Sequence, residues 1–224
     1  MTVDGIVETP VADEPVTRTG PPLPVLVVFV AALCFVAGVI GWRIGRPGDP
    51  PADAVSVGFL DDMTYHHEQA LVLSFAYLEG APTDWFLRHT AEEIVRVQSY
   101  EIGVMQERLR ENGGTGSPDI AMDWMGMPSA PAEMPGLATD AEIVALRGAR
   151  GAEADELFSR LMILHHAGGI HMADDANERA DDGFVRELAA RMAGLQRTEV
   201  AEMSADRVEQ GFAPVDTDAI AHHG

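Results

Sequence analysis

The chain reads as an all-α protein: a four-helix bundle built from two repeated helical hairpins, preceded by one N-terminal transmembrane helix. Three observations carry this expectation. FLDDMTYHHEQAL (59–71) aligns with FSRLMILHHAGGI (158–170) at an offset of 99 residues. The helices that follow align at an offset of 98, where Asp84, Phe86, Arg88, Gln98, Glu101 and Met105 match Asp182, Phe184, Arg186, Gln196, Glu199 and Met203. Residues 23–42, LPVLVVFVAALCFVAGVIGW, carry no charge and are long enough to cross a bilayer. A hairpin cannot bury its own apolar face. Two copies packed about a pseudo-two-fold axis complete one core.

Residues 1–22 are acidic, Pro-rich and without periodicity, and are expected to be disordered. The transmembrane helix is assigned to 23–43. A cleaved signal peptide fits less well, because Asp4, Glu8, Asp13 and Glu14 precede the apolar run and no A-x-A site follows it. GRPGDPPA places a linker at 44–52. The bundle domain is predicted over 53–211, with its repeats at 53–112 and 152–211. Its first helix spans about 53–79 and stops at Gly80-Ala81-Pro82. Thr83 or Asp84 caps a second, about 84–111. A Gly-, Pro- and Met-rich connection covers 113–138. Thr139 with Glu142 forms a capping-box pattern that opens a short helix. The third long helix covers about 152–179. Asp181 or Asp182 caps the fourth, about 183–210, which Gly211 ends. Residues 212–224, including His222 and His223, read as a flexible tail.

Composition narrows the function. The chain has 224 residues, 36 Asp and Glu against 15 basic residues, and a net charge of −21. A nucleic-acid partner is excluded, because phosphate binding needs clustered basic side chains. The single cysteine, Cys34, excludes an intramolecular disulfide and a Cys-based zinc cluster. The expected partners are the lipid bilayer, through residues 23–42, and a metal ion. No protein partner is indicated.

Helical geometry decides which polar residues face inward. Met162, His165, His166, Gly169 and Met172 share one face about 120° wide, and His171 lies opposite. Met63, His66, His67, Ala70 and Leu73 occupy the matching positions of the first repeat. The second helices place Ile94, Gln98, Glu101 and Met105, and Met192, Gln196, Glu199 and Met203, on one face each. A buried Gln or Glu needs a partner, and the histidines are the available ones. His89 falls outside that face.

Two readings satisfy this pattern. In one, His–Glu pairs and two glutamines form a polar network that fixes the packing, with methionines filling gaps. In the other, imidazole and thioether form a soft donor set suited to copper, above all Cu(I). Gln98, Glu101, Met105, Gln196, Glu199 and Met203 then orient the histidines or add ligands. A ferritin-type di-iron site is disfavoured because no E-x-x-H occurs, and a zinc hydrolase because H-E-x-x-H is absent. The loop MDWMGMPSAPAEM adds Met122, Met125, Met127 and Met134, which either cover an apolar surface or offer thioethers. No catalytic motif is present, so no enzyme activity is expected.

The paired M-x-x-H-H motifs, the Q-x-x-E that follows each, and W-M-G-M-P between them resemble the domain of unknown function 305 family, over roughly 53–211. The resemblance implies a ferritin-like four-helix fold and, in some members, copper binding through His and Met. It carries over Met63, His66, His67, Met162, His165, His166 and Met172 as metal positions. Leu73 stands where the family often has a methionine, which implies weaker binding by the first half. The resemblance also implies an extracytoplasmic domain, against the weak cytoplasmic bias of Arg43 and Arg46 over Arg18. The expected function is therefore copper binding for sequestration, buffering or transfer. The alternatives are a metal-free adaptor bundle beside a membrane complex and a copper redox enzyme of unassigned substrate.

Overall fold

A computed structural model describes residues 24, 27–28, 31–38, 53–112 and 114–221. The predicted tail 1–22, the linker 44–52, most of the predicted transmembrane span and His222–His223 lie outside the described residues. The chain divides into two units, Met1–Pro50 and Pro51–Gly224. In the first, residues 31–38 are helical, and the apolar side chains of Leu33, Phe35 and Val36 are exposed. Among the described residues no helix is long and apolar enough to cross a membrane.

The second unit is all-α. Its helices are α1 (Ala54–Glu79), α2 (Trp85–Asn112), α3 (Asp140–Gly148), α4 (Ala152–Arg179), α5 (Gly183–Glu209) and a short α6 (Asp218–Ala221). Helices α1 and α2 pack as one hairpin, α4 and α5 as the other, and α1 lies against α4. Three starts follow the capping residues read from sequence: Asp84 accepts from the Leu87 N–H, Asp182 from the Phe184 N–H, and Thr139 and Glu142 form a reciprocal capping box. At the first helix Asp53 accepts from the Ser56 N–H, a cap the sequence pattern did not assign.

The first hairpin turn is fixed from the other hairpin. The buried Asp155 of α4 accepts from the Tyr77 hydroxyl at 2.6 Å, from the Thr83 hydroxyl, and from the backbone N–H groups of Thr83 and Asp84. Tyr77 also stacks on Phe158, centroids 4.2 Å apart and planes at 7°. Near the C-terminus of α5, the buried Arg207 guanidinium is fully occupied by the Glu156 carbonyl and carboxylate, the Ser159 hydroxyl and the Ala213 carbonyl. These bonds meet the requirement that a buried charge be paired. They also tie the chain just past Gly211 back onto α4.

The core has three layers along the bundle. One apolar cluster contains Phe59, Met63, Met105, Met122, Met134, Met172 and Met192. The other contains Leu73, Tyr77, Ile94, Phe158, Met162 and Met203. Each long helix passes through both clusters, and between them every helix contributes polar side chains: His66 and His67, Gln98 and Glu101, His165 and His166, Gln196 and Glu199. That belt is the centre of the pseudo-symmetric bundle. The symmetry breaks at its ends. At an offset of 99 Tyr77 corresponds to the small Ala176, and Trp124 of the connection fills the place beside Phe59, packing edge-on at 6.0 Å.

Candidate metal centre

All four histidines of the repeated motif are completely buried. The inner pair, His66 and His165, are pseudo-equivalent and lie ring against ring, centroids 3.8 Å apart and tilted by 38°. The outer pair, His67 and His166, each turn to the glutamate of their own hairpin. His67 Nε2 lies 2.9 Å from Glu101 Oε2, and His166 Nε2 lies 2.7 Å from Glu199 Oε2.

The acceptors determine the tautomers. Carboxylate and carbonyl oxygens only accept, so Nε2 of His67 and His166 carries a proton donated to its glutamate. Nε2 of His165 likewise donates to the His66 carbonyl at 2.9 Å. Nδ1 of none of the three rings has a hydrogen-bond partner. Neither nitrogen of His66 makes a hydrogen bond. Burial and then the neighbouring imidazoles hold His66 and His165 well below the usual histidine range, while the Pro135 carbonyl beside His66 and the carbonyl of His66 beside His165 pull the other way. Both rings are therefore neutral, the form in which imidazole is a ligand.

The glutamines lie in the same layer, and the side-chain oxygens of Gln98 and Gln196 have no partner. Gly169 makes room for Gln196: a methyl group at Gly169 would overlap the Gln196 amide. Gly168 faces the Pro135 carbonyl so closely that a Cβ there would overlap it. The first repeat has Gln69 at this position, and Gln69 makes a two-way amide pair with Ala138, at 2.9 and 2.7 Å. Gly168 and Gln69 thus seat opposite ends of the segment 135–138 over the histidines.

Buried thioethers flank the belt unequally. Met63, Met105, Met172 and Met192 lie on the side of Trp124, and Met162 and Met203 on the other. The asymmetry that Leu73 suggests between repeats is thus one between the two ends of the belt. The antiparallel arrangement brings Met63 of the first repeat to the cluster of Met172 of the second. Of the loop methionines, Met122 and Met134 are buried, while Met125 and Met127 are half-buried. His89 is exposed and stacks on Trp85, and His171 is half-buried.

Sequence reading missed Asp62. It is buried, and its Oδ2 accepts from the Met122 N–H at 2.8 Å and from Trp124 Nε1–H at 2.6 Å. Burial lifts its carboxyl to about 6 against those two bonds. The second repeat has Leu161 here, so the repeat itself could not reveal it. A signal was present, since a carboxylate four residues before His66 falls on the inward face.

Among the described residues, no three His, Cys, Asp or Glu side chains gather tightly enough to hold an ion by themselves. A hard cation that needs several oxygen ligands is not served by this belt. A soft ion of low coordination number fits better: Nδ1 lone pairs without partners, rings fixed by carboxylates as in carboxylate–histidine–metal arrangements, and thioethers on both sides.

Residues 56–206 match the family described as "Domain of unknown function (DUF305)". The structure is similar to that of a DUF305 protein from Streptomyces coelicolor, at 34% identity and a TM-score of 0.66, covering 72% of this chain and 97% of that one. A DUF305 fragment from Deinococcus radiodurans is 29% identical, with a TM-score of 0.62 and coverages of 71% and 99%. CopM in its Cu(I)-bound form shares the fold at 24% identity, with a TM-score of 0.52 and coverages of 69% and 96%. No curated protein matches the sequence. The match covers most of the chain, including both M-x-x-H-H motifs, and the chain belongs to the DUF305 family.

Proposed function

We propose that this protein is a membrane-anchored, extracytoplasmic copper-binding protein. Its ferritin-like four-helix bundle holds Cu(I) at the histidine belt for sequestration, buffering or transfer. The observation that carries this is the set of buried imidazoles whose Nε2 atoms are tied while Nδ1 is left without a partner. An unpaired buried acceptor costs about 1–3 kcal/mol, and a bound ion removes that cost. His66, His67, His165 and His166 supply the imidazoles, Met63, Met162 and Met172 the thioethers, and Glu101 and Glu199 orient the outer rings. The similarity to CopM, which has been solved with Cu(I), Cu(II) and silver, supports the same choice of ion. Support for the anchor comes from the uncharged run 23–42 and the exposed Leu33, Phe35 and Val36 within it.

A metal-free adaptor bundle is the second reading, favoured by the close His67–Glu101 and His166–Glu199 pairs. Thermal unfolding separates the two. A ligand of the native state raises Tm, and Cu(I) at 100 times its Kd adds about 2.7 kcal/mol, roughly 5–10 °C for a domain of this size. An unchanged Tm favours the adaptor. Protease added to intact cells should degrade the bundle; full protection would place it in the cytoplasm.

A further inference from the structure

A cavity of about 480 Å³ opens at the connection, lined by Met122, Met127 and Met134 together with Ser129, Glu133 and Ile220. The Ser129 hydroxyl on its wall is buried and has no partner. Three of the four loop methionines face this space, and Met125 does not. Its floor is the segment Met134–Gly136. That segment rests on Gly168, and its Pro135 carbonyl lies beside His66. Met122 is held at a φ of 63°, a left-handed conformation uncommon for a residue with a side chain. The Asp62 carboxylate fixes its N–H there, one residue before Met63. A loop serving only as an apolar cover would not need the strained backbone, nor three methionines gathered around one cavity. Glu133, exposed at the rim, adds negative charge that attracts a cation.

We infer that Met122, Met127 and Met134 form a separate thioether site for a soft monovalent ion, and that this site is the entrance through which the ion reaches His66. The inference rests on the copper reading above, but concerns residues outside the belt. Thioether sulfur suits Cu(I) and Ag(I) and discriminates against hard cations.

The test uses the full chain, with Cu(I) supplied as a complex with a chromogenic chelator and loading followed by loss of the complex's colour. The M122L/M127L/M134L variant should load at least tenfold more slowly than the wild type and bind one equivalent fewer. M125L should match the wild type. Equal rates and stoichiometries in the triple variant and M125L would overturn the site. Leu-for-Met exchanges conserve volume and cost little. A measurement on unaltered protein covers the case in which the variant fails to fold. With ¹³C-methyl methionine and Ag(I) added until both sites are filled, the methyl signals of Met122, Met127 and Met134 should shift and that of Met125 should not; unshifted signals at those three, or a shift at Met125, would overturn the assignment. An H66A/H165A variant distinguishes this site from the belt. If it keeps a sulfur-bound equivalent, the thioether site stands even where the belt fails, and its role as an entrance falls with the belt; if the wild type binds no Cu(I), both fall.

Discussion

A methyl group added at Gly168 would overlap the Pro135 carbonyl, whereas one added at Gly103 or Gly194 meets open space. These glycines lie inside helices, so intrinsic propensity alone favours alanine at each by about 1 kcal/mol. Gly103→Ala should therefore raise stability by about that amount. Gly168→Ala should lower it by about 1–3 kcal/mol through overpacking, as read by denaturant midpoints. Equal effects would show that segment 135–138 is not seated on α4. Asp62 makes a second prediction at this scale, for the metal-free protein. Its folded carboxyl titrates at about 6 against an ordinary 3.8, because burial outweighs the hydrogen bonds from Met122 and Trp124. Between those values the folded chain holds a proton that the unfolded chain gives up. The contribution of Asp62 to stability therefore falls as pH rises through that window. Asp62→Asn cannot ionise, so the Tm of the variant should gain on the wild type between pH 4 and pH 7. A difference constant with pH would contradict the burial of this carboxylate.

At the scale of elements, the repeated motifs were legible because they encode geometry directly. The spacing of Met63, His66 and His67, and of Gln98, Glu101 and Met105, places each set on one helix face, and both sets are found facing the core. The caps at Asp84, Thr139 and Asp182 were legible for the same reason: a capping side chain bonds an N–H two or three residues away. What was hidden is non-local. Asp62 meets Met122 across 60 residues, and Gly168 meets a carbonyl of the connection. Neither has a counterpart in the other repeat. Met192 was visible on an inward face, but its company with Met63 and Met172 follows only from running the hairpins antiparallel. Asp155 is a non-local device of this kind, holding the turn between α1 and α2 from α4. Asp155→Ala strips a buried acceptor from the Tyr77 hydroxyl and from the start of α2. It should cost at least about 2–3 kcal/mol, with protection from hydrogen exchange lost first at Thr83 and Asp84. A loss confined to global unfolding, with no local opening at that turn, would contradict this role.

For the molecule as a whole, two apolar clusters enclose a polar belt whose members satisfy one another only in part. Glutamates and a carbonyl accept from Nε2 of three rings, and the Nδ1 atoms of those rings have no partner. A buried polar atom without a partner is costly, and the eight methionines on one side of the belt favour a soft ion. The strongly acidic chain adds a field that draws cations to the bundle. The central claim is that copper sits on this belt. It is tested most directly by titrating the full chain with Cu(I) against a chromogenic chelator, comparing the wild type with H165A/H166A and with H89A, whose histidine is exposed on α2. Copper on the belt requires H165A/H166A to bind at least tenfold more weakly than the wild type, with H89A unchanged. Equal affinities in the three proteins would contradict it.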